Sequence, residues 1–86
     1  MIAAKKRAST APVRPEIADI FHDIFQHEGA ITWNTSPLDI ARWDSLQHIA
    51  LVRAIEARFG ISMSMDEMAE LRSAGDIEII LSRYGV

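Results

Sequence analysis

Cysteine is absent from these 86 residues, which excludes disulfides, thiolate metal sites and a cysteine nucleophile, and is compatible with a reducing compartment. No apolar run approaches the roughly 20 residues of a membrane span. The opening MIAAKKRASTAPV lacks the continuous apolar centre of a secretory signal. Strand periodicity and internal repeats are missing as well. What remains is the expectation of one small cytoplasmic, monomeric, all-α domain whose core is held by packing alone.

Charge is unevenly placed. Lys5, Lys6, Arg7 and Arg14 give the first 14 residues +4 with no acid, whereas the rest holds 5 basic and 12 acidic groups, or −7. So acidic a body repels phosphate backbones, and nucleic-acid binding is not expected of it. Residues 1–14 read as a flexible basic arm and 15–86 as the folded domain, with residues 1–13 expected to be dispensable for folding.

After Pro15, which suits a first helical turn, Ile17, Ile20, Phe21, Ile24 and Phe25 recur at helical spacing, and Gly29 is expected to close a helix over about 15–28. Residues 30–43 have no steady period and read as a long ordered loop pinned by Ile31, Leu38 and Ile40. A second helix is expected to start with Asp44 as N-cap and Ser45 in its first turn, and to end near Phe59-Gly60. His48, Leu51, Val52, Ile55 and Phe59 form its core stripe. Leu46, Ile49 and Ala50, with Arg53, Glu56 and Ala57, lie off that stripe as an exposed patch suited to a partner. A short third helix is expected near 66–72, with Met63, Met65, Met68 and Leu71 where it meets the second. Ser73 with Asp76 marks the start of a fourth, whose inward face is Ala74, Ile77, Leu81 and Tyr84, with Ile80 beside them.

A serine at a helix N-terminus lies near the positive end of the helix dipole and its unpaired N–H groups, a favourable place for a phosphate ester. As a nucleophile Ser45 is poorly served. Only His22, His27 and His48 are available as bases, and His48, one turn on, falls on the core stripe as a hydrogen-bonded core histidine. No acid, base and nucleophile converge, so no catalytic residue is assigned and an enzyme is not expected. His22 and His27, five apart, do not share a helix face, so no metal site is expected.

The segment WDSLQHIALVRAIEARFGI resembles the region around the modified serine of acyl carrier proteins, and SMSMDEMAELRSAGDIEIIL continues the likeness through the last two helices, over residues 15–84. The resemblance implies a four-helix bundle of acyl-carrier type with a long first loop and a short third helix. It further implies that Ser45 receives 4′-phosphopantetheine from coenzyme A through a separate Mg²⁺-dependent phosphopantetheinyl transferase. Acyl or aminoacyl groups would then ride as thioesters on an imported thiol. Asp44 would cap the helix and help recruit the transferase, with Leu46 as the adjacent apolar contact. The other partners implied are an acyl- or aminoacyl-loading ligase and a downstream acyltransferase or synthase. Family members can admit an acyl chain along the seam of the second and third helices, here Met63, Met68 and Leu71 beside Val52 and Ile55. Trp43, and a second helix whose Gln47–Phe59 carries Arg53 and Arg58 against Glu56, look more like stand-alone carriers of specialised pathways than the fatty-acid-synthesis carrier. A docking module of the same fold without prosthetic group is the alternative.

Overall fold

A computed structural model describes residues 10–86 of the chain. Within them the chain folds as helix α1 (Pro15–Phe25), α2 (Ser45–Phe59), α3 (Met65–Glu70) and α4 (Ala74–Arg83), and the extended backbone pairs at a single bridge, Pro12 with Thr32. The core is where the apolar stripes meet: Ile17, Ile20, Phe21 and Phe25 of α1, Leu51, Val52 and Ile55 of α2, and Ala74, Ile77, Ile80 and Leu81 of α4 are buried.

α1 stops three residues short of the expected end. Gln26, at φ 53°, takes the left-handed position expected of Gly29, and its side-chain amide donates to the Asp23 carbonyl at 2.9 Å. The sequence QHEG after Phe25 has no apolar group to bury, so nothing repays the entropy of another turn. α2 begins and ends as expected. Asp44 accepts from the Gln47 N–H at 2.9 Å, and Gly60, at φ 67°, closes the helix through its N–H to the Glu56 carbonyl.

The loop between α1 and α2 is ordered by Ile31, Ile40 and Trp43, all buried. Leu38, expected as a third pin, is 98% exposed. The Ser36 N–H donates to Asp39 Oδ2 at 3.0 Å and the Leu38 N–H to Ser36 Oγ at 3.2 Å, a side-chain-stapled turn that pushes Leu38 outward. The same loop covers the start of α4: Thr35 and Trp33 carbonyls accept from the Ala74 and Gly75 N–H groups, each at 2.9 Å. Only glycine fits at 75, because a Cβ there would lie 2.6 Å from the Trp33 carbonyl oxygen.

The boundary placed between residues 14 and 15 falls inside packed structure. Val13 is only 6% exposed, its N–H donates to the Ile31 carbonyl, and the Trp33 N–H donates to the Ala11 carbonyl. The Arg14 backbone N–H and its Nε donate to the two oxygens of Glu78 at 2.8 and 2.9 Å, with the guanidinium 5.5 Å from the Phe59 ring centroid. Residues 11–14 therefore belong to the body; of the rest of the expected arm, Thr10 is exposed and residues 1–9 lie outside the described residues.

α3 is held by a capping box, with Ser64 and Glu67 each accepting the other's backbone N–H. Met63 and Leu71 flank it as buried residues and Met68 packs partly, but Met65, expected at the seam, is exposed. Tyr84 also differs from expectation: it sits at the C-cap of α4, is exposed, and sends its hydroxyl to the Ser62 carbonyl and the Glu67 carboxylate. One polar end on a large ring favours that rim position over the core.

Candidate functional site

The first turn of α2 is built on its own N-cap. Asp44 is extended (φ −104°, ψ −175°), so its carboxylate reaches over the turn to Gln47, and its carbonyl accepts from the His48 N–H at 2.8 Å. Ser45 follows as the first helical residue and is exposed. Among the described residues its hydroxyl has no hydrogen-bond partner, and the backbone N–H groups of Ser45 and Leu46 have none either. Two open N–H groups at the positive end of a 15-residue helix, beside a free hydroxyl, suit an anionic ester on that hydroxyl.

Beneath the turn, Trp43 is 5% exposed, with its indole set edge-on to Phe21 (centroids 5.3 Å, 83°) and against Phe25 (5.6 Å). Its Nε1–H donates to His48 Nδ1 at 2.9 Å. An indole N–H can only donate, so Nδ1 accepts and the imidazole proton sits on Nε2, which donates to the Met68 carbonyl at 2.9 Å. Both ring nitrogens are thus committed away from Ser45, and His48 is the hydrogen-bonded histidine expected, though half-buried. It offers the serine no base. His22 Nε2 faces the Gly29 carbonyl at 3.1 Å, and among the described residues no three His, Cys, Asp or Glu side chains converge on a metal position.

A shallow open groove of about 280 Å³ runs beside the serine, lined by Pro37, Trp43, Asp44, Ser45 and His48. On the outer side, Leu46 and Ile49 are 77% and 47% exposed, Arg53 and Ala57 are exposed, and Ala50 is half-buried. Glu56 departs from the expected patch. It is half-buried, and its Oε2 accepts from the Met63 N–H at 2.8 Å, fixing the turn that leads into α3. Leu38, next to the groove residue Pro37, is the exposed apolar residue that sequence reasoning assigned to the core. Ser36 and Asp39 bracketing Pro37-Leu38 carried the signal for an outward turn.

A family model described as "Phosphopantetheine attachment site" matches residues 15–81. The solution NMR structure of a holo acyl carrier protein from Geobacter metallireducens superposes with a TM-score of 0.68 at 29% identity, covering 83% of this chain and 91% of that one. No curated protein sequence matches the chain.

Proposed function

This chain belongs to the phosphopantetheine-attachment family as a carrier of the acyl carrier protein type, not an enzyme, and from that premise we propose that Ser45 is the residue that carries its covalent phosphopantetheine. The observation that carries this is the exposed, unpartnered Ser45 hydroxyl at the Asp44-capped N-terminus of α2, beside two open N–H groups. Those groups and the helix dipole favour a phosphodiester at that atom. Asp44 holds the turn in shape, and its exposed carboxylate with Leu46 gives the transferase an acidic and an apolar contact. Once attached, the group supplies the thiol on which an acyl or aminoacyl unit is held as a thioester. The chain's part is to present the arm to a phosphopantetheinyl transferase, a loading ligase and a downstream acyltransferase or synthase. A cytoplasmic setting and a specialised biosynthetic pathway belong to this reading.

Partner choice, in the same reading, is made on the outer face of α2: Leu46, Ile49, Ala50, Arg53 and Ala57, with Glu56 supporting from within and Leu38 exposed next to the groove residue Pro37. Exposed apolar groups with an arginine suit a small transient interface. The attachment is tested by incubating the chain with coenzyme A, Mg²⁺ and a broad-specificity phosphopantetheinyl transferase and weighing the product. Wild type is expected to gain one phosphopantetheine and Ser45→Ala none; an alanine variant that is still modified overturns the assignment.

A further inference from the structure

A cargo tethered to an exposed serine has two places to go: into the body, where apolar atoms leave water, or along the outside. We infer that Trp43 and His48 close the Ser45 end of the bundle, so that this carrier holds its cargo outside the core and is matched to short or polar acyl groups. The inference rests on Ser45 as the attachment site.

A chain entering the body from Ser45 between α2 and α3 would meet a side chain that joins the two helices. His48, on α2 one turn from Ser45, donates to the Met68 carbonyl on α3 at 2.9 Å. α3 ends in Leu71 with extended backbone and no left-handed cap, so its last carbonyls have no partner of their own, and the imidazole serves as one. Removing that bond to admit a chain would leave a helix of six residues less well anchored.

The imidazole is held in turn. Trp43 donates to its other nitrogen at 2.9 Å, and the two rings lie nearly parallel, at 13°. Trp43 fills the space beneath the first turn of α2 against Phe21 and Phe25. Behind it Leu51, Val52 and Ile55 are fully buried in close-packed surroundings. A chain threading inward must break two hydrogen bonds, strand a buried indole N–H and displace a tryptophan. Outside, the groove at Pro37, Trp43 and His48 is shallow and partly polar, a resting place for a short or hydrogen-bonding group. A long alkyl chain there would stay in water, at a cost that grows with every methylene.

The test compares acetyl- and octanoyl-phosphopantetheine on the full chain, loaded from the acyl-coenzyme A by the same transferase and followed by NMR. In wild type both cargos are expected to shift signals around the groove, while Val52, Ile55 and Leu71 stay in place and the Trp43 indole N–H keeps its hydrogen-bonded position. Octanoyl-specific shifts at those three core residues overturn the inference. His48→Leu removes both bonds and is expected to bring such shifts, whereas His48→Gln, whose amide can accept from Trp43 and donate to Met68, is expected to suppress them. An octanoylated leucine variant with wild-type core signals also overturns it, and if that variant does not fold, the wild-type pair decides alone. Loading is checked first by mass, so a chain with no arm on Ser45 overturns the attachment, while core shifts with the arm in place overturn the closure alone.

Discussion

At the scale of single residues, Asp44 and Ser45 illustrate what a local pattern can encode. An N-cap acts on N–H groups two or three residues ahead, so its partner is already in the string, and Gln47 is where the pattern places it. Asp44 combines this cap with a proposed part in recruiting the transferase, and two substitutions separate the roles. Asp44→Ala removes the acceptor and is expected to cost about 1 kcal/mol in chemical denaturation. Asp44→Asn keeps an acceptor but loses the charge, so it is expected to hold most of the stability while phosphopantetheine transfer slows. Equal transfer rates for wild type and Asp44→Asn would show that the carboxylate matters only as a cap. His48 was legible only in part. Its place on the core stripe follows from helical spacing, but its acceptor, the Met68 carbonyl, is 20 residues away and no local rule reaches it. Leu38 was misread because hydrophobicity argues for burial on average, while the Ser36–Asp39 turn decides this case.

At the scale of elements, α3 is too short to persist on propensity and depends on its ends. The Tyr84 hydroxyl and then the Ser64 N–H hold the Glu67 carboxyl below its ordinary pKa, and the same contact raises the Tyr84 phenol. A lowered carboxyl pKa adds stability that is fully present above the unfolded value and is lost as pH falls through the folded one. A raised phenol adds stability present below its unfolded value and lost as pH rises through the folded one. Since Glu67 lies half-buried at the rim, on a helix of only six residues, the effect is local fraying of α3 rather than global unfolding. In a carboxyl-carbon NMR titration, Tyr84→Phe is expected to raise the Glu67 midpoint and to increase amide exchange at Glu67 and Met68. An unmoved midpoint would mean that the phenol does not reach the carboxylate in solution. The Ser73 start of α4 was readable because its cap is local. The loop carbonyls of Trp33 and Thr35 that complete it were not, since a segment without period gives no sign of which N–H groups it will meet.

At the scale of the whole molecule, two features come from contacts between distant parts. The residues before Pro15 have no helical period, yet Val13 is buried and Arg14 is clamped by Glu78, 64 positions on. Val13→Ala is therefore expected to lose about 2 kcal/mol of stability in urea, from two buried methyl groups and the space they leave; an unchanged midpoint would return this segment to the status of a tail. The second feature is charge. The residues beyond Arg14 sum to −7, which alone would make every face attractive to a basic partner. Along α2 and the loop before it, however, Asp39 accepts from Ser36, Asp44 from Gln47 and Glu56 from Met63. Arg42 and Arg53 are exposed and, among the described residues, form no ion pair. A basic docking surface would meet Arg53 at close range and be repelled there while attracted at long range, which favours a partner with carboxylates around an apolar socket. Arg53→Glu is expected to fold normally, as an exposed mid-helix change. It is further expected to slow loading by the cognate ligase, and to speed acylation by a fatty-acid-synthesis enzyme with a basic docking surface. Both effects should shrink as salt shortens the Debye length below about 8 Å. Loading rates for both chains with both enzymes, at low and high ionic strength, check this. Unchanged rates throughout would remove the α2 face as the reader and turn attention to the exposed acids Asp66 and Glu70 on α3.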